Sequence, residues 1–234
     1  MRTQFLNDGI ADWLRTTRKG IATELVNWEF HHYRTFTPAI DEESGDFIPL
    51  TLPNDLTFFN IAAGQVLSGG DVATKEDCNL FKASSIGYPY KYLTQEVGFY
   101  LEPAGAEGVI PRQPLGENED NQWDLFNDLK QLLVRGVSSF ETLQKTYFEL
   151  CPPMQMPAGI GQVGGVSVAN SEGQAGGLIV NGWPVKSNRF HCEIPLDEET
   201  QFNMFMRYPK GPVTIKTPIT MGFILGGILQ RPKV

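Results

Sequence analysis

Apolar and polar residues alternate at a spacing of two along much of the chain, most regularly in its last third. Phe190, Cys192, Ile194 and Leu196 fall on one parity, with Arg189, His191 and Glu193 on the other. After a turn over residues 197–200, Phe202, Met204, Met206 and Tyr208 repeat the pattern. Successive strand side chains point to opposite faces, so this spacing predicts two half-buried strands whose apolar side chains all line a core. The same alternation recurs early, where Val26, Trp28 and Phe30 interleave with Asn27, Glu29 and His31. Residues 219–229 form an apolar run interrupted by Thr220 and three glycines, which predicts a final, buried strand.

Shorter signals fill the interval. Residues 41–46 read as a solvated turn, residues 47–52 as a strand that stops at Pro53, and residues 56–61 as a short apolar run. Residues 62–85, rich in small and polar types, read as a long excursion before a strand over 88–101 with Gly98 as its candidate bulge. Residues 140–150 read as one strand closed by Pro152 and Pro153, and residues 158–177 as a glycine-rich loop. Helical spacing occurs twice. Phe5, Leu6, Ile10, Trp13 and Leu14 mark a short helix near the start; Trp123, Phe126, Leu129 and Leu133 mark an internal one, capped by Asn121 and ended by Gly136. Eight or nine strands without βαβ alternation argue against a parallel α/β sheet and for an all-β sandwich. The expected organisation is a peripheral helical segment, residues 1–23, and one domain, residues 24–234.

Composition narrows the class. A chain of 234 residues with 41% hydrophobic residues can bury one sizeable core without staples. Its 24 glycines and 16 prolines suit many turns between short strands. Three cysteines without close spacing argue against a disulfide framework and for synthesis in a reducing compartment. Neither a secretion signal nor a membrane anchor is expected. The net charge of -8 is unevenly spread: Arg2, Arg15, Arg18 and Lys19 leave residues 1–20 net positive, so the acidic body disfavours nucleic acid while the basic end suits an anionic surface. Trp13 and Leu14 would give that segment an apolar side for touching a membrane or a genome, against the plainer reading of a solvated helix face.

Candidate chemistry is sparse. Gly159, Gly161 and Gly164 form a formal GxGxxG, but three prolines stand where its strand belongs and residues 165–173 do not read as its helix. His31 and His32 are adjacent on a strand and point apart, and His191 is remote, so no metal site is expected. No nucleophile beside a base is visible, and Cys78, Cys151 and Cys192 read as small apolar residues. Neither an enzyme nor a cofactor is expected.

Several segments together carry a resemblance. Residues 56–59, a loop over 71–80 containing Cys78, Asn79 and Leu80, then Tyr88, Pro89 and Tyr90, and a strand ending Gly98, Phe99, Tyr100, Leu101 make up the front half. Residues 136–148, the stretch Pro157 to Gly161, Thr200, Gln201 and Phe202 opening a strand, and a closing strand over 222–231 make up the back. This order resembles major capsid proteins of tailless, membrane-containing icosahedral phages. The resemblance implies a jelly-roll coat subunit in the virion, made in the host cytoplasm. Its partners would be copies of itself in trimeric or other capsomers, other capsid proteins and internal membrane lipid, with no sequence-specific nucleic acid. Double jelly-roll subunits are longer, so this length favours a single elaborated roll over a compact double one. Arg2, Trp13, Arg15, Arg18 and Lys19 would then face the particle interior, and removal of residues 1–23 is expected to spare the fold and impair assembly. A receptor-binding spike or lectin-like module of the same architecture is the alternative.

Overall fold

The computed structural model describes residues 13, 22–67, 70–104, 120–143, 146–156, 162–164, 178–180 and 189–233. Two four-stranded antiparallel sheets organise it. The first holds β1 (Thr23–Phe36), β6 (Lys91–Pro103), β11 (Phe190–Leu196) and β14 (Ile219–Pro232), in the order β1-β14-β6-β11. The second holds β5 (Asp55–Phe58), β7 (Val137–Thr142), β8 (Thr146–Cys151) and β12 (Phe202–Arg207), in the order β5-β12-β7-β8. The pairs β1·β14, β5·β12, β6·β11 and β7·β8 are nested in sequence, one inside the next. Short pairs decorate the connections: β2 (Ala39–Ile40) with β3 (Phe47–Ile48), β4 (Leu50–Thr51) with β13 (Thr214–Ile215), and β9 (Gln162–Gly164) with β10 (Leu178–Val180).

Apolar residues of one parity build the core between the sheets. Met221, Phe223 and Leu225 of β14 are buried with Phe30 of β1 and Phe99 of β6, opposite Phe58 of β5 and Phe202, Met204 and Met206 of β12. Phe223 joins the two layers, its ring 5.1 Å from that of Phe58 and 5.2 Å from that of Phe99. Each such side chain contributes about 1.5 to 3 kcal/mol on burial. The predicted core parity holds through Ile194, Leu196, Phe202, Met204, Met206 and Tyr208, which are buried, while Phe190 and Cys192 are half-buried against the same cluster. His191 and Glu193 are exposed as expected, but Arg189 is buried. Two ion pairs described below explain it.

Helix α1 (Asp120–Arg135) buries Leu125, Leu129, Leu132 and Leu133, and its start leaves Asn121 inside the first turn instead of at the cap. It is tied down by Asp128, whose buried carboxylate accepts hydrogen bonds from the Lys216 and Thr217 amides and the Thr217 hydroxyl. Desolvation raises the Asp128 pKa even against these donors. Gly136 follows the helix because space is short: a Cβ there would lie 2.7 Å from Met206 Sδ.

Three strand expectations are corrected. Residues 140–150 are not one strand; β7 and β8 form a hairpin whose turn carries Leu143, 81% exposed. Within 158–177, read as loop, residues 162–164 form β9. The irregularity in β6 is not at Gly98 but at Gln95, which has no partner between the pairs Glu96↔Gly226 and Thr94↔Gly227. Backbone contact sets this place: a Cβ on Gly227 would lie 2.0 Å from the Leu93 carbonyl oxygen.

Phe223→Ala removes the ring that links the layers and is expected to cost about 3 to 5 kcal/mol of stability. Equilibrium urea unfolding should show a lower midpoint; an unchanged midpoint would mean that the sheets do not pack through this ring.

Candidate functional site

Strand β1 lies at an edge of the first sheet, and the excursion after β5 covers part of that edge. Tyr33 N–H donates to the Asp77 carbonyl (2.7 Å). Asn79 substitutes for a strand partner: its amide oxygen accepts from His31 N–H and its amide nitrogen donates to the Glu29 carbonyl, each at 2.8 Å. Pairing of this kind protects an edge that would otherwise invite another chain.

His31 and His32 point apart, as the strand period requires. His31 Nε2 lies 2.8 Å from the Lys75 carbonyl, whereas His32 is buried and its Nδ1 accepts the Phe59 N–H at 2.5 Å. Burial, helped by the Arg34 charge, pushes the His32 pKa down to about 3, so the ring is a neutral acceptor. The backbone of Cys78 pairs with that of His32 in an isolated antiparallel bridge, its thiol donates to the Ile61 carbonyl, and burial raises that thiol to about 11; Cys192 is raised to about 12 in the same way. Neither thiol is activated for nucleophilic attack. Among the described residues no group of three or more His, Cys, Asp or Glu could hold a metal ion. Gly164 of the GxGxxG lies in β9, and Gly159 and Gly161 lie outside the described residues.

A more distinctive arrangement lies where the excursion meets the turn between β11 and β12. The three non-glycine residues with left-handed backbone among the described residues are Phe59 (φ +66°), Ser84 (φ +56°) and Glu199 (φ +62°). All three belong to one connected place. Ser84 N–H donates to the Phe59 carbonyl, Phe202 N–H donates to the Ser84 carbonyl, and Lys82 pairs with Glu199. Glu199 Oε1 also accepts the Tyr88 N–H at 3.2 Å, and the Lys82 ammonium holds this carboxyl below the usual range. Such conformations cost on the order of 1 to 3 kcal/mol each and persist where the surroundings enforce them, often at functional sites. Beside them aromatic rings reach solvent: Phe81 is 45% and Tyr88 51% exposed. Phe81 rests on Tyr90 (4.7 Å between centroids), Phe30 (5.4 Å) and Trp28 (6.2 Å). Sequence reading took residues 62–85 for a plain excursion and Tyr88 for the start of a strand; the one available signal was Phe81, a single aromatic residue in a segment of small and polar types.

Of the predicted contact residues, Arg2, Arg15, Arg18 and Lys19 lie outside the described residues. Trp13 is described, and it packs on the body. Its ring covers Leu93 and Ile228 on the outer face of the first sheet, its Nε1 donates to Asp197 Oδ1 (3.0 Å), and the Lys91 ammonium sits 5.3 Å from its centroid. Within residues 1–23 the described Trp13 thus gives the segment a point of attachment to the body, over Leu93 and Ile228. On the same outer face Arg189 pairs with Glu29 (2.8 Å) and Glu96 (3.9 Å) above Gly226, where a Cβ would crowd both Arg189 and Glu96 at 3.3 Å. Among the described residues no helix is long and apolar enough to cross a membrane.

Comparison with protein families, with curated proteins and with solved structures finds no match to this chain.

Two outcomes are expected. His32 has a folded pKa of about 3 against 6.5 for an unperturbed histidine, so its contribution to stability is complete above about pH 6.5. That contribution should fall away as pH drops toward 3, by on the order of 4 kcal/mol. His32→Asn keeps an acceptor near Phe59 but does not titrate, so its urea midpoint should lose less between pH 7 and pH 4; equal losses would remove His32 from the acid response. Trp13→Ala should cost about 2 kcal/mol through Leu93 and Ile228, and an unchanged midpoint would show that the segment adds nothing to the body.

Proposed function

We propose that this chain is a structural coat subunit of a tailless icosahedral virus, folded as a single jelly roll. The observation that carries the reading is the strand order. Rolling one long antiparallel hairpin of eight strands pairs first with last, second with seventh, third with sixth and fourth with fifth. Alternate pairs then fall into alternate sheets. The orders β1-β14-β6-β11 and β5-β12-β7-β8 match that construction strand for strand. Coat domains, lectins and cupins share the architecture, so what separates them is the site and the surface.

The metal-binding cupin variant needs clustered histidines, whereas His31 and His32 diverge and His191 is exposed on β11. The additions to the eight strands sit at the two ends of the sandwich. One end carries the excursion and the turn at residues 197–201; the other carries α1, β2–β3 and β4–β13. Exposed apolar residues occur at both, Val66, Val72 and Leu143 at the first, Ile40, Ile48 and Val134 at the second. Side-by-side packing of identical subunits would bury such residues in heterologous contacts that close into rings or shells. An internal lipid surface would meet the basic residues Arg2, Arg15, Arg18 and Lys19, each worth about 1 kcal/mol beside anionic lipid. Trp13 has a seat on the body and is not needed for that contact.

The purified chain should sediment as discrete oligomers that grow into closed shells with concentration, visible by negative-stain electron microscopy. Charge-introducing changes at Ile48 and Leu143 should each reduce assembly while leaving the unfolding free energy from urea titration within about 0.5 kcal/mol of the parent. A chain that stays monomeric at every concentration would overturn the coat reading.

A further inference from the structure

We infer that the exposed aromatic shelf of Phe81 and Tyr88, flanked by Lys82 and Glu199, is a binding site for a neutral sugar ring. A pyranose presents two kinds of surface: a C–H face that is apolar, and an equatorial rim of hydroxyls that both donate and accept. A receptor for it needs an aromatic face beside polar groups of both kinds, with hydrogen-bonding capacity to spare.

The shelf supplies these together. Phe81 is backed by Tyr90, Phe30 and Trp28, so its ring is held in place by packing, while the residue as a whole is 45% exposed. Lys82 follows Phe81 directly and pairs with Glu199, and Glu199 receives the Tyr88 N–H. The side chains of Lys82 and Glu199 remain about half exposed, 56% and 49%. An ammonium has three donors and a carboxylate about four acceptor positions. The pair therefore keeps donors and acceptors open to solvent, with Lys82 next to Phe81 in the chain and Glu199 held at the Tyr88 amide. Left-handed backbone at Ser84 and Glu199 is what brings residues far apart in sequence to this one place. The choice of a neutral ligand follows from charge: Lys82 and Glu199 cancel locally, and the net charge of -8 repels an anionic sugar. This inference does not depend on the coat reading, because a single subunit carries every group it needs.

Saturation-transfer NMR on the intact chain tests it, with the methyl glycosides of glucose, galactose, mannose and N-acetylglucosamine as probes and N-acetylneuraminic acid as the anionic contrast. The expected result is transfer from the protein to the ring protons of at least one neutral glycoside. Binding should weaken about tenfold or more in Phe81→Ala and Tyr88→Ala. Because Phe81 also packs against the core, Glu199→Gln serves as a second variant: it keeps the fold, removes the charged acceptor and should weaken the same glycoside. Transfer that survives all three substitutions would overturn the assignment. So would the absence of transfer from every neutral glycoside. If these substitutions instead change only the oligomer mass by light scattering, the shelf is a contact between copies and the sugar site is refuted.

Discussion

The first sheet depends on the insertion of β14 between β1 and β6. Strand β14 pairs with β1 from Thr23↔Pro232 to Phe36↔Ile219, and with β6 from Pro103↔Ile219 to Gln230↔Lys91. Without it β1 has no sheet partner, and the nested order that sets the whole sandwich has no outermost pair. Its sequence meets two demands at once. Met221, Phe223, Leu225 and Leu229 fill the core side, while Gly222 and Gly227 sit where neighbouring backbone comes too close for any Cβ. At Gly222 a Cβ would stand 2.1 Å from the His32 carbonyl oxygen and 2.7 Å from the Tyr33 ring. A strand of uniformly large residues would be more apolar and would not fit.

What sequence reading captured and what it missed follow from the range of the forces involved. Alternation in β11 and β12 is local, and it identified Ile194, Leu196, Phe202, Met204, Met206 and Tyr208 as core. Arg189 broke the pattern because its burial depends on Glu29 and Glu96, which lie on two other strands. The β7–β8 hairpin was hidden because residues 140–150 hold no glycine, proline, asparagine or aspartate to mark its turn. Strand order was not readable at all, since nested pairing joins residues as distant as Thr23 and Pro232. The shelf was hidden for a related reason: Glu199 reaches Lys82 only through the folded turn between β11 and β12.

The two outer faces of the sandwich differ in character. On the first sheet Ile224, Ile228 and Leu93 are buried although they point away from the core, with Trp13 over the last two. On the second sheet the outer side is polar: Arg207 pairs with Glu141 at 2.6 Å and with Asp55 at 3.5 Å, and lies over the Phe205 ring. A buried charge survives only with partners, and Arg189 has Glu29 and Glu96 among its own; Arg207, partly solvated, contributes less to stability than its ion pairs suggest. The polar face tolerates water, whereas on the first sheet Trp13 of the chain itself closes over Leu93 and Ile228.

The position of β14 also has a consequence during synthesis. A ribosome makes every other strand of both sheets before residues 219–232, so β1 must wait beside its excursion until those residues have been translated. Folding dominated by such distant pairings is slow compared with the closure of local turns. A chain cut short by premature termination would lack the central strand and expose Phe30 and Phe99 to solvent. Cellular proteolysis would meet such fragments as unfolded material.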